Sequence, residues 1–359
     1  DPHADELFAT LMALFTYYVN RADLRRADSV VHMLRVGVEG GRDWWRTENI
    51  AGAGIVCWLR GEFDSAARYL EDAARLAETR DDRNFEAEWF EPFDPVVLDL
   101  TSLAQARWVR GDLAGADDAL RRAVDRSDGQ DFPQGPFSHC YARYVECTLS
   151  AEIGDADRTA AAAADISALA QQHGFDQWIA AGALMQMFGA AVRALRSDPV
   201  DTGALAAPVE FLTGWVTACR NLQATGFLTS FDCFLARLLL ETGNPLDARR
   251  RIEAALQLAR ETGMHYYDAE LLRLRAKTHS DPDDRQSDLD AALGLAVRQG
   301  ACGFAVRAAL DAYEVHGPAA LDVVRSAVDA MPIDGTWPEA VRARELIRAA
   351  DDQSTRSTS

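Results

Sequence analysis

A chain of 359 residues, 48% hydrophobic and 26% charged, has the composition of a folded protein and is longer than one ordinary core encloses. Its 37 basic and 56 acidic residues leave a net charge of −19, the wrong sign for a surface whose main work is contacting nucleic acid. No apolar run approaches the roughly 18–20 residues of a membrane span, and no signal peptide precedes the first helical pattern. The six cysteines (57, 140, 147, 219, 233 and 302) contain no CxxC pair, so reduced thiols and a cytoplasmic location are expected. The chain opens at Asp1-Pro2-His3 and is helical in pattern by Glu6, which reads as a piece of a larger protein.

Apolar residues recur at three- and four-residue spacing from one end to the other. The spacing predicts helices over 5–19, 44–60, 65–79, 96–110, 114–126, 138–153 and 159–173. It continues over 177–196, 208–225, 228–242, 246–262, 266–279, 287–299, 302–316, 319–330 and 338–350. Residues 80–93 read as a loop carrying Trp89, Phe90 and Phe93, and the polar stretch 351–359 as a disordered tail. No alternating run bounded by hairpin signals interrupts this pattern.

The helices repeat in pairs. Small residues five apart recur as Ala22…Ala27, Gly61…Ala66, Gly111…Ala116 and Gly243…Ala248. Gly154 fits with Thr159 in place of alanine, and Ser197-Asp198-Pro199 fills the next register without the glycine. The period drifts near 44 residues. Such a turn has a physical logic: the first residue takes the left-handed conformation that ends a helix, a polar residue after it caps the next helix, and the alanine lets the two approach closely. Gly174, Gly226, Gly263 and Gly300 are expected to close the pairs in the same way. One pair cannot bury its own apolar face, so pairs must stack. The expected fold is an all-α, right-handed tetratricopeptide-like solenoid over 1–350, with the clearest repeats in 5–300 and capping helices in 301–350.

Five short stretches carry a resemblance. They are Asp94-Pro95-Val96-Val97 leading to Trp108-x-x-Gly111, then Gly135-Pro136-Phe137-Ser138, Gly174-Phe175-x-x-Trp178, Ala224-Thr225-Gly226, and Tyr267 through Arg275. In this order they resemble the helical-repeat C-terminal regions of large bacterial signal-transduction ATPase regulators, which also contain an adenylate/guanylate cyclase domain or a LuxR-type DNA-binding domain. The resemblance implies a sensor and interaction module that restrains an upstream ATPase. The implied partners are that effector domain or another protein, with a small-molecule or peptide signal and no direct nucleic-acid or membrane contact.

Chemistry is sparse along the chain. There is no Gly-Lys-Ser/Thr phosphate loop, and Gly52-Ala53-Gly54 reads as a close helix crossing. The histidines form no zinc spacing, and His139, Cys140 and Cys147 read as one helix face with buried thiols. No catalytic residue, metal or cofactor is therefore expected. The candidate recognition groove is 175–275, with Trp178 and Phe231 as aromatic walls. Trp45 and Tyr266 fall on first helices too, and Asp232, Arg237, Glu270 and Arg273 supply charge of both signs. Two plainer readings stand beside this: the aromatics as packing between repeats, and Glu270–Arg273 as a surface ion pair. The alternatives for function are a passive scaffold for partner peptides and an enzyme with a groove active site.

Overall fold

The computed structural model describes residues 4–78, 93–332 and 337–357. Among them are seventeen α-helices and no strand. The first four hairpins are α1 (Ala4–Asn20) with α2 (Leu24–Glu39), α3 (Arg46–Arg60) with α4 (Phe63–Glu78), α5 (Pro95–Val109) with α6 (Leu113–Asp128), and α7 (Gln134–Glu152) with α8 (Ala156–His173). Next come α9 (Asp176–Leu195) with α10 (Ala206–Asn221), and α11 (Leu228–Glu241) with α12 (Pro245–Thr262). The last are α13 (Asp268–Ala276) with α14 (Pro282–Gln299), α15 (Cys302–His316) with α16 (Leu321–Asp329), and the single α17 (Pro338–Ser357). The fold is an α-solenoid of tetratricopeptide-like hairpins.

Backbone geometry bears out the turn signature. Ala22, Gly61, Gly111, Gly154 and Gly243 all have positive φ, at 57°, 77°, 91°, 77° and 74°. Asp23, Asp112 and Asp155 then cap α2, α6 and α8 by accepting a backbone N–H three residues on. Ala27, Ala66, Ala116, Ala248 and Thr159 are buried where the two helices of each hairpin meet.

Four expectations need correction. Residues 24–39 form α2, for which no helix is expected above, although Leu24, Ala27, Val30, Val31 and Leu34 give it a regular buried face. Gly226 is not a left-handed helix stop; Gln223 takes the positive φ instead. Residues 351–357 continue α17 rather than forming a disordered tail: no glycine or proline interrupts them, and Asp351 pairs with Arg325 of α16. Finally, α9 is long and apolar enough to cross a membrane by length and composition, and half of its most apolar window is buried inside the fold. Most of the loop expected at 80–93 lies outside the described residues; Phe93 is buried against Tyr141.

The helices form two layers. Beyond consecutive neighbours, contacts join α3 to α5, α5 to α7, α7 to α9, α11 to α13, α13 to α15 and α15 to α17. The odd-numbered helices therefore make the inner wall and the even ones the outer. One contact skips much further, from α5 to α15, so the superhelix has gone round once and met itself.

Other contacts follow the same seam. The α1–α2 turn meets the α10–α11 loop: the Gly226 N–H donates to the Asn20 carbonyl at 2.9 Å, and Thr225 Oγ1 donates to the Arg21 carbonyl at 3.1 Å. Arg21 also reaches the Gln223 side chain. At Gly226 a side chain is excluded, since a Cβ would stand 2.4 Å from the Val19 carbonyl oxygen. Further along, the turn at Gly61 rests on Gln299 and that at Gly111 on Met331. Closure buries the concave wall.

Candidate functional site

Because the coil closes, inner-wall side chains from both halves of the chain face one another. They line a partly open cavity of about 410 Å³. Met12 and Phe15 of α1, Trp58 of α3, Ser102 and Gln105 of α5, Phe137 and Tyr141 of α7, and Gln177 and Trp178 of α9 line it, with Phe227 before α11. A smaller space of about 80 Å³ shares Trp58, Gln105, Tyr141 and Phe227 and is bounded further on by Phe231, Tyr266, Tyr267, Phe304 and Glu152. Aromatic rings meet at tilted and edge-on angles, as their quadrupoles favour. Trp178 lies 5.5 Å from Phe137 at 72°, and Trp58 lies 4.6 Å from Tyr266 at 39°.

The expected site residues divide into three groups. Trp178 and Phe231 line these spaces but are only 6% and 8% exposed, and Tyr266 is buried deeper still. An open groove over 175–275 is thus corrected to an interior wall, because α1, α3 and α5 cover it from the opposite side of the coil. Trp45 is elsewhere: it is buried beside Phe8 and Trp44, fitted against Gly37, and Arg42 stacks over it at 5.1 Å. Asp232 is fully buried and tied to Arg220 of α10 at 2.5 Å, so it faces its hairpin neighbour. Burial raises its carboxyl pKa, and the Arg220 guanidinium offsets this only in part.

Glu270 and Arg273 belong to an ionic network. Arg273 binds Glu270 through two nitrogens at 2.7 and 2.9 Å and Asp311 of α15 at 2.6 Å. Arg307 of α15 reaches Glu270 and Glu152 of α7, each at 3.1 Å, and Glu339 of α17 at 2.9 Å. It also donates to the Glu152 carbonyl at 2.5 Å, and Tyr267 Oη donates to the Glu152 carboxylate at 3.2 Å. The Glu270–Arg273 pair expected on the surface is therefore buried, where it joins α7, α13, α15 and α17 across the seam. Arg237 has no hydrogen-bond or ion-pair partner among the described residues. Burial, then the positive charge of nearby Arg307, lowers its pKa.

Burial alone would raise the Glu270 carboxyl, but Arg273 and Arg307 overcome it and hold the pKa at about 2 against an ordinary 4.5. A carboxyl more acidic in the folded than in the unfolded chain stabilises fully above pH 4.5 and ceases to do so as pH falls through 2. The melting temperature of the wild-type chain is expected to fall more steeply across that window than that of Glu270→Gln, measured by circular dichroism. Parallel curves would place the network's protonation elsewhere.

The thiols are inert packing groups. Burial pushes Cys140 and Cys147 up to about 12, and His139 is engaged by Asp128 at 2.7 Å. Sequence reasoning missed the N-terminal half of the cavity, including Phe15, Trp58, Ser102, Gln105 and Tyr141. Their common signal is position on the first helix of a hairpin; which hairpins face one another depends on superhelical pitch.

Comparison with known proteins finds no matching family model and no matching curated protein. Among solved structures the chain is similar to the crystal structure of the yeast Tom70, with 12% identity and a TM-score of 0.40, over 99% of this chain and 83% of that one. It is also similar to a circular tandem repeat protein with novel repeat topology and enhanced subunit contact surfaces, with 14% identity and a TM-score of 0.28, over 99% and 98%.

Proposed function

We propose that this chain is a non-catalytic sensor and interaction module of a cytoplasmic signal-transduction ATPase regulator, and that its signal is a small molecule held inside the superhelix. The observation that carries the reading is the shared wall of the cavity. Helices α1, α3 and α5 approach it from one side, and α9 and Phe227, just before α11, from the other. A ligand there binds the closed coil and not an opened one, so its binding energy shifts the population between two superhelical pitches. The ends of the coil then move relative to each other, which is the kind of output an attached effector domain can read. The five resembling motifs point to an ATPase as that effector.

The test has two arms. The isolated chain is expected to hydrolyse no ATP, and a thermal-shift screen of small metabolites is expected to raise its melting temperature with at least one compound. A screen without any stabilising compound, or ATP turnover abolished by one substitution in this chain, would overturn the proposal.

A further inference from the structure

The wall of the larger space is apolar over Met12, Phe15, Phe137, Trp178 and Phe227. None of the described side chains that line it carries a charge. An ionic group held between these walls would lose its hydration without gaining a counter-charge, which is strongly unfavourable. At about 410 Å³ the space falls at the small end of the ~300–1,000 Å³ typical of small-molecule sites.

The polar exception lies on α5. Leu98, Ser102 and Gln105 follow one another at four- and three-residue spacing, so they form one stripe of that helix along the cavity. A serine or threonine within a helix commonly donates to the carbonyl four residues back, as Thr101 does to Val97 at 2.8 Å. Ser102 does not. It is 8% exposed, lines the cavity, and its hydroxyl makes no hydrogen bond among the described residues. That hydroxyl is also not sealed inside protein, unlike the buried unpaired atoms elsewhere in the fold. Gln105 borders both interior spaces, and its side-chain nitrogen makes only a long 3.5 Å contact to the Thr101 carbonyl. Neighbouring side chains on one helix face thus offer donors and acceptors to the cavity.

We infer that the cavity binds an uncharged molecule with an apolar body and one end that both donates and accepts hydrogen bonds, a carboxamide or hydroxyl, seated on Ser102 and Gln105. This rests on reading the interior as a ligand site and adds the ligand's chemical class and its orientation.

Three probes separate the terms: 2-naphthamide, uncharged with a carboxamide; 2-naphthoate, its anionic counterpart of nearly the same shape; and naphthalene, the rings alone. Binding at neutral pH is followed by tryptophan fluorescence on the full chain, since Trp58 and Trp178 line the space. The amide is expected to bind roughly tenfold or more tightly than the carboxylate. Ser102→Ala and Gln105→Leu should each weaken 2-naphthamide roughly three- to tenfold, the worth of one hydrogen bond, and leave naphthalene unchanged. If Gln105→Leu fails to fold, Ser102→Ala, which removes a single heavy atom, decides alone. Leu98→Trp fills the space from α5 and should abolish binding of all three; Ile55→Trp fills it from α3 if that chain does not fold. Equal affinity for the carboxylate and the amide, lost in the filled variant, would overturn the uncharged class and leave the interior site standing. Amide binding unchanged in Ser102→Ala, or naphthalene weakened as much as the amide, would overturn the seat on α5. No binding by any probe, or binding untouched by the filling substitution, would overturn the interior site as well.

Discussion

Replacing Arg307 with alanine is expected to destabilise the chain by about 3–5 kcal/mol, the cost of leaving buried carboxylates without their cation. Arg307 is 5% exposed and serves three carboxylates at once, the buried Glu270 and the partly buried Glu152 and Glu339. Its loss therefore loosens α15 from α7, α13 and α17 together. The control is a triple variant, Arg307→Met with Glu270→Gln and Glu152→Gln, which removes most of the uncompensated charge. It should regain much of the lost stability, since exchanging a buried ion network for neutral groups is often close to neutral. Urea denaturation of the three chains checks this. An Arg307→Ala midpoint equal to wild type would show that the network contributes nothing to closure.

The second large effect is expected at Trp337. Its ring is fully buried, lies 4.9 Å from the Trp108 ring, and is covered by the Arg307 guanidinium at 5.0 Å. It also fills the place that a Cβ on Gly303 would occupy, 2.3 Å from the ring. Trp337→Ala should cost about 3–5 kcal/mol, as for other fully buried large rings, because the neighbours cannot collapse into so large a void. Trp337 and Arg307 touch, so the double variant should lose less than the two single losses added. Denaturation midpoints of the four chains give the coupling; strict additivity would mean the two side chains support separate parts of the fold.

Local features of this fold were legible in the sequence. A glycine followed by an acidic residue, with alanine five positions from the glycine, describes one turn and one helix crossing, and every such turn has its left-handed residue. The resembling motifs turn out to hold the coil together. Asp94 caps α5 through Val96 N–H, binds Arg126 at 2.8 Å, and its own N–H donates to Ser138 of the next motif. Thr225 and Gly226 make the seam with the first turn, and Tyr267, Glu270 and Arg273 make the ionic network.

Closure was not legible. Whether Trp178 faces solvent or Trp58 depends on how much each hairpin rotates on the last, a sum of small packing differences that no single motif carries. The same gap explains why Glu270 and Arg273, three residues apart on an expected surface, are buried: their cover is Arg307, 34 residues further on. The aromatic walls were read from helix position, and two of them, Trp178 and Phe231, do face interior space. Trp45 had the same signal and packs within the first two hairpins.

The central claim, that the coil holds a small molecule within it, is tested most directly by a crystal structure of the chain soaked with the compound that raises its melting temperature most. The account predicts the Gly226–Asn20 seam intact and the compound between Trp178 and the α1, α3 and α5 wall. Probe bound only on the outer surface, or a coil whose first turn stands clear of Thr225 and Gly226, would contradict it.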